Sequence, residues 1–450
     1  MTGSKQTPTL PPSSIEAHYD AVILGAGTAG IAAARTLKAQ GYKDILIVEA
    51  RDRMGGRVHH HPVYQDLGAA WSHINDPRLK SDSAYGQKLR DVRHNFVAEA
   101  GKRDYHIYWD RQDSHIYWDG KQVPREQYFS YLSTAFDELT EIHRNFGDMP
   151  MAEAFARMKK HDSFMEWLLH MEFGWGSSGR DYEGVSLEAS LKHLSCASGL
   201  LYREGLGTLI KELGDEVAPE TALKTRVTGI YNHGAHSPYP MVEVVAADGT
   251  KKTITAKCIL NTIPPSVMTY KGPKAIEHDL PAWKTKAFEA LPSGAMNKII
   301  MEIDPDYFDE KEIYFHRHYE VLDSKLGNMF FLARPAGHSI IAGFVGGDQS
   351  IALEKLDDAA ARDYALKFLA NVPEFKDIKD HIRSVHFTRW HQDPYSRGAY
   401  STPIVGAGDA REKAFEPVDD KLFFAGEACA HGGWETHVYG AYETGMRAAE

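Results

Sequence analysis

Gly25-Ala26-Gly27-Thr28-Ala29-Gly30 spells G-x-G-x-x-G directly after an apolar run and at the opening of a helical pattern. That context turns a common pattern into a site for a dinucleotide pyrophosphate. Gly25 permits the tight turn, Gly27 lets the backbone approach the phosphates, and Gly30 lets helix and strand pack closely. The helix N-terminus adds free amides and positive partial charge. Glu49 follows at roughly the 20-residue spacing of a ribose-binding acid. Its carboxylate can accept from both ribose hydroxyls and would repel a 2′-phosphate. It opens the run Glu49-Ala50-Arg51-Asp52-Arg53-Met54-Gly55-Gly56-Arg57. A nicotinamide site has no use for that run, whereas a flavin site does. Two glycines let the chain pass an isoalloxazine or pyrophosphate, and Arg57 can neutralise phosphate bidentately.

The elements that must position these residues are legible around them. Residues 19–24 read as a buried strand, 28–40 as a helix ending at Gly41, and 44–48 as a second buried strand. This is a βαβ opening, and it implies a parallel sheet. From 76 to 200 the character changes. His106-Ile107-Tyr108-Trp109-Asp110 recurs as His115-Ile116-Tyr117-Trp118-Asp119, which predicts two paired strands, and amphipathic helices follow over 130–144 and 151–170. Strands return over 227–263, with Asp248-Gly249 as a hairpin turn. Residues 421–450 read as strand, loop and helix. The expectation is an α/β fold. A Rossmann-like FAD-binding domain is assembled from residues 17–75, 201–275 and 381–450. A mixed-sheet and helical substrate-binding domain comes from 76–200 and 276–380, with the pocket between them.

Composition excludes several classes. A net charge of −11 argues against nucleic acid as the partner and mildly favours the approach of a cationic small molecule. Cys196, Cys258 and Cys429 form no CxxC or zinc pattern, and read as incidental thiols in a reducing compartment. No metal site is expected: His59-His60-His61 follows the flavin loop directly and reads as a solvated turn. No apolar run reaches the ~18 residues of a membrane span. Residues 1–16 lack an apolar signal core and read as a disordered leader, and the chain stops inside a helical pattern. The default location is cytoplasmic. A homodimer is left open.

The blocks together resemble the flavin amine oxidase superfamily of monoamine oxidases, polyamine oxidases and lysine-specific histone demethylases. The E-A-R-x-R-x-G-G-R string is specific to that group and its near relatives. Asp66-Leu67-Gly68-Ala69-Ala70-Trp71-Ser72-His73 resembles the block that runs past the flavin, and Thr225-Arg226-Val227 the strand whose valine meets the adenine end. Leu260-Asn261-Thr262-Ile263-Pro264 is similar to the strand-to-proline block. Residues 389–401, from Arg389-Trp390 to Tyr400-Ser401, are similar to the W-x-x-D-P-Y-x-x-G-x-Y-S segment. Phe424-Ala425-Gly426-Glu427 with Tyr439-Gly440-Ala441-Tyr442-Glu443-Thr444-Gly445 resembles the closing FAD block.

The resemblance implies roles. Glu427 binds the ribityl or pyrophosphate region, and the helix starting near Val438 stabilises negative charge on the flavin. Trp390 packs beside the flavin, or simply in the core. Lys298, in Met296-Asn297-Lys298-Ile299-Ile300, holds a water against flavin N5. A lysine in an apolar strand needs a partner, although a strand-end lysine is the plainer alternative. Tyr400 is one wall of an aromatic cage, and His437 stands at the other wall. That histidine departs from the usual aromatic residue and adds a titratable group, unless it only hydrogen-bonds backbone. His73 falls at a substrate-site position, or is a core histidine. Trp434 belongs to a closing loop within reach of the pocket. Ala399 replaces the cysteine that links monoamine oxidases to their flavin, so FAD is expected to be noncovalent.

The implied reaction is hydride transfer from an amine to N5. The resulting imine hydrolyses to an aldehyde, and O2 is reduced to hydrogen peroxide. An L-amino-acid oxidase is the rival, with Arg180 or Arg203 as carboxylate clamp, although Ala70-Trp71 stands where such enzymes often carry Met-Arg. A dehydrogenase with another electron acceptor stays open. A chromatin-type scaffold is disfavoured, because no long coiled-coil insertion is present.

Overall fold

Two sheets divide the chain's apolar runs. The computed structural model describes residues 19–73, 102, 107–109, 113–118, 121–159, 162–175, 178–193, 199–202, 204–232, 238–307, 317–323, 326–333, 338–431 and 434–450. In the first sheet Ile45–Val48, Tyr19–Leu24, Lys251–Asn261 and Leu422–Phe424 lie parallel. Val22, Ile23 and Leu24 are fully buried, as befits parallel strands covered on both faces. Thr28–Ala39 is the crossover helix between Tyr19–Leu24 and Ile45–Val48. The same sheet continues antiparallel through Met241–Val245 and Arg226–Tyr231, and Glu277–His278 closes its edge. In Met241–Val245 buried and half-buried residues alternate, the mark of a strand with one face on the core.

The C-terminal helix, Val438–Ala449, ties the end of the chain to its beginning. A Cβ on Gly445 would lie 2.1 Å from the Ala29 carbonyl oxygen, so this helix crosses Thr28–Ala39 backbone to backbone. Only glycine permits that approach.

The second sheet runs Ile382–Phe387, Met296–Ile303, Ser339–Gly346, Leu326–Ala333, Arg317–Asp323, Asp113–Trp118, Lys121–Val123. Period-two alternation splits Met296–Ile303 between two cores. Ile299, Met301 and Ile303 pack with Tyr364 and Phe368 of the Asp358–Leu369 helix. Ile300 packs on the opposite side with Leu139 and Met165 of the Arg125–Phe146 and Ser163–Leu168 helices. Trp71–His73, Gly199–Tyr202 and Ile107–Trp109 form a third, three-stranded sheet. Among the described residues no helix is long and apolar enough to cross a membrane.

Four expectations are corrected. The I-Y-W repeats do not pair with each other. Ile107–Trp109 joins Gly199–Tyr202, whereas Asp113–Trp118 makes a parallel ladder with Arg317–Asp323 that places Ile116 and Tyr117 in opposite cores. The expected 151–170 helix is broken. Met151–Arg157 ends at Met158, and a new helix starts where the Asp162 carboxylate accepts the Met165 amide at 2.8 Å. The histidine triplet is no solvated turn. His60–His61 pairs with Gln65–Asp66, and the His61 ring stacks on Tyr64 (4.7 Å) and on His386 (6.1 Å). Finally, Ile382–Phe387, grouped from sequence with the FAD-binding part, pairs with Met296–Ile303 of the second sheet, and Glu277–His278 falls in the first.

Candidate active site

At the nucleotide end three backbones meet. Gly25 has φ 102°, and a Cβ on Gly30 would sit 1.9 Å from the Gly25 carbonyl oxygen. Gly56, at φ 59°, approaches Gly27 so closely that its Cβ would lie 3.2 Å from the Gly27 Cα. The Gly55 amide donates to the Ala26 carbonyl at 2.8 Å. The G-x-G-x-x-G loop and the Gly55-Gly56 loop thus form one cradle.

The Thr28–Ala39 helix starts at Gly27 without a side-chain cap. Thr28 is buried there, and its Oγ1 has no hydrogen-bond partner among the described residues. A buried hydroxyl without a partner at an uncapped helix N-terminus, next to Ala29 and Gly30, is the donor set a pyrophosphate requires.

Glu49 is 5% exposed. One carboxylate oxygen accepts the Ala26 amide and the other the Arg51 amide, each at 2.8 Å. Two oxygens fixed this way retain lone pairs for a ribose diol. The Thr225 amide donates to the Glu49 carbonyl at 2.8 Å, which sets buried Val227 two residues from that contact. Ala50 lies between Glu49 and Arg51. The Arg51 guanidinium pairs with Asp393 at 2.7 Å and lies over the Tyr395 ring. These features fit an adenine dinucleotide.

Glu427 is the hub of the middle of the site. Arg57 Nη1 donates to its Oε1 at 2.9 Å and to the Ala399 carbonyl at 3.0 Å. Ser401 donates its hydroxyl to Glu427 Oε2 at 2.6 Å and its amide to Oε1 at 3.1 Å. Arg411, buried, grips Ser401 through both the hydroxyl and the carbonyl. Gly426 takes φ 132°, and its amide donates to Thr444 Oγ1 of the C-terminal helix. Sequence reading named Arg57, Gly426 and Glu427 but missed Ser401, Arg411 and Thr444 as their supports. Arg411 carries no local signal, since its partners lie in two other segments.

On the second sheet Lys298 is 4% exposed, and its Nζ donates to the main-chain carbonyl of Asp66 at 2.7 Å. Trp390 Nε1 donates to the next carbonyl, Leu67, at 3.3 Å. Two side chains from distant segments therefore converge on one stretch of chain. Burial pulls the Lys298 ammonium down to about 8, and the Asp66 charge acts in the opposite direction. Asn297 Oδ1 accepts the Trp390 amide (2.9 Å) and the Thr388 hydroxyl (3.0 Å). Buried Glu354 accepts Asn297 Nδ2 and the amides of His391 and Gln392. Neither Asn297 nor Glu354 was expected from sequence.

The remaining expected residues are placed as follows. The Ala69 amide donates to the Arg57 carbonyl at 3.3 Å, and Ala70 is buried. Trp71 and His73 lie on a strand paired with Gly199–Tyr202, and their side chains lie outside the described residues, as does Arg203. Tyr400 is half-buried, and burial raises its phenol, with Glu427 adding to the effect. His437 is buried. Its Nδ1 donates to the Glu435 carbonyl at 2.5 Å, and its ring stacks on Tyr439 at 5.0 Å. It is the N-cap residue of Val438–Ala449, whose start carries no side-chain cap, and its carbonyl accepts the Ala441 amide. Trp434 packs against Tyr439 and Ala430. His437, Ser401, Thr402, Glu188, Glu412 and Glu435 help line a cavity of about 390 Å³.

Residues 28–450 match the model of the flavin-containing amine oxidoreductase family. The chain belongs to that family. It is therefore an oxidoreductase acting on amine donors, with a flavin cofactor. Polyamine oxidase 2 of Arabidopsis thaliana is 30% identical over 461 residues, spanning 95% of this chain and 87% of that protein. Lysine-specific histone demethylase 2 of Homo sapiens is 26% identical over 95% of this chain but only 52% of its own length. A solved structure of wild-type putrescine oxidase bound to putrescine superimposes with a TM-score of 0.71, at 17% identity, over 96% of this chain and 98% of that one. The family fold is thus present.

Proposed function

We propose that this chain binds FAD noncovalently and oxidises an aliphatic amine that carries a second cationic centre. The observation that carries the reading is the convergence of Lys298 and Trp390 on the successive carbonyls of Asp66 and Leu67, within a chain of this family. FAD, when bound, would supply the two-electron chemistry, taking up a hydride from the amine α-carbon and returning the electrons, with a proton, to O2 as hydrogen peroxide.

The protein's own groups do the rest. Thr28 and the first amides of its helix hold the pyrophosphate, Glu49 holds the ribose diol, and Arg57 with Glu427 holds the centre of the cofactor. The N-terminus of Val438–Ala449 favours negative charge beside it. Lys298 holds a water and supplies a proton during oxygen reduction. A group near 8 can give and regain a proton at neutral pH. Tyr400 and His437 flank the amine and exclude water, and the imine released is hydrolysed to an aldehyde. Ala399 offers no nucleophile for a covalent link. The net charge of −11 mildly favours a cationic substrate. The polyamine oxidase and putrescine oxidase relatives support that class.

One observation favours a second reading. The half-buried Arg180 guanidinium has no acceptor for its buried Nη1 among the described residues, which suits an amino-acid carboxylate. The test is anaerobic titration of the purified flavoprotein with diamines, polyamines, monoamines and L-amino acids. Bleaching of the visible band by di- and polyamines, with peroxide formed on admitting air, is expected. Bleaching by amino acids alone would replace this reading with the second, and bleaching without peroxide would make the enzyme a dehydrogenase.

A further inference from the structure

Asp66 has two separate hydrogen-bonding duties. Its main-chain carbonyl accepts Lys298 Nζ at 2.7 Å. Its carboxylate accepts the amides of Leu206 (2.9 Å) and Gly207 (2.7 Å), the first residues of the Leu206–Asp215 helix. Two glycines make room for it. A Cβ on Gly205 would come within 3.2 Å of Asp66 Oδ1, and one on Gly207 within 2.9 Å. On the other side, Gln65 takes φ 60°, a left-handed turn that sets the direction of Asp66.

The carboxylate is thus pinned against a helix N-terminus, where a negative charge is stabilised. Burial raises its pKa, and the Lys298 charge and the Gly207 and Leu206 amides oppose that rise. Its charge in turn acts on the buried Lys298 ammonium. His60 is the other titratable group acting on Asp66, and its Nδ1 lies 3.0 Å from Thr208 Oγ1 of the same helix. The Phe344 ring lies 5.4 Å from Lys298 Nζ and carries no charge. Burial alone would drive Lys298 neutral, and within the chain the Asp66 carboxylate opposes it.

We propose that Asp66 is a positioning residue for Lys298. Its carbonyl fixes the ammonium in place, and its helix-anchored carboxylate keeps that ammonium protonated at neutral pH. The consequence for oxygen reduction rests on the proposed amine oxidation, whereas the coupling itself does not.

The test is therefore made without substrate. Holoenzyme labelled with ε-13C lysine is titrated by NMR, with the Lys298 signal identified by its loss in Lys298→Met. In the wild type that signal titrates near 8. Asp66→Asn lowers the midpoint by about one to three pH units, and Asp66→Glu, which keeps the charge, stays within about half a unit of the wild type. If Asp66→Asn does not fold, Asp66→Ser removes the charge and leaves a hydroxyl for the helix amides. An unmoved midpoint in the folded, uncharged variant overturns the proposal, as does an Asp66→Glu midpoint that falls with it. A wild type that amines fail to bleach would remove the amine-oxidation reading and leave this titration untouched.

Discussion

Lys284 and Lys298 are both buried, at 0% and 4% exposure, and burial pulls each ammonium down to about 8. Their surroundings differ. Lys284 donates to the carbonyls of Lys413 (2.6 Å), Ala414 (3.1 Å) and Glu416, at the C-terminal end of the Ala410–Phe415 helix, and lies over the Phe424 ring at 4.0 Å. It closes a helix end whose carbonyls have no continuation, at the pole where a cation is favoured. Lys298 instead stands on an interior strand of the second sheet and donates to the carbonyl of Asp66, whose carboxylate is pinned to another helix. Equal burial thus accompanies two tasks: one lysine completes a helix, and the other sits where Trp390 and the Asp66–Leu67 carbonyls meet.

The largest expected effect is on stability. Lys284→Met removes the donor from buried carbonyls and should cost about 3–5 kcal/mol, the usual result of breaking a buried charged contact. Urea unfolding reads this. A loss below about 1 kcal/mol would mean that Lys284 is no helix cap. Next, Arg411→Met tests whether the helix Lys284 closes also serves the site. Losing its bonds to Ser401 should loosen Glu427 and weaken flavin binding about tenfold, about 1.4 kcal/mol, measured by flavin release on dilution.

The pH dependence comes third. Each lysine's folded value lies below its ordinary one, so from about 8 to 10.5 the unfolded chain holds protons that the folded chain lacks. The destabilising contribution is complete below that window and fades as pH rises through it. Wild type should therefore gain stability relative to Lys284→Met between pH 8 and pH 10, and a flat difference would show that Lys284 titrates normally. The smallest effect is expected for Asp393→Asn. Its pair with Arg51 is partly solvent-exposed, at 26% and 11%, so unfolding should shift by about 1 kcal/mol or less.

The two lysines also mark what a sequence reader can see. Lys298 stands out because Met296-Asn297-Lys298-Ile299-Ile300 is otherwise nearly apolar. Lys284 sits in Ala282–Glu289, AWKTKAFE, whose two lysines and one glutamate give no local sign that one lysine is buried. Its burial depends on Lys413 and Glu416, more than a hundred residues away. Gly25, Gly27, Gly30 and Glu49 were legible because backbone geometry dictates both their type and their spacing. The supports of Glu427 and Trp390 were not, since Ser401, Arg411, Asn297 and Glu354 acquire their meaning from non-local contacts. The I-Y-W repeats misled for the same reason: local similarity suggested a hairpin, and longer-range ladders placed the two copies in different sheets.

The central claim is that Lys298, of these two buried lysines, serves the flavin chemistry. Rapid mixing of anaerobically reduced Lys298→Met with oxygenated buffer tests it most directly. Flavin reoxidation should slow on the order of 100-fold, about 2.7 kcal/mol of barrier, while reduction of the folded variant by amine stays close to wild type. Reoxidation at the wild-type rate, in a folded and amine-reducible variant, would contradict the claim.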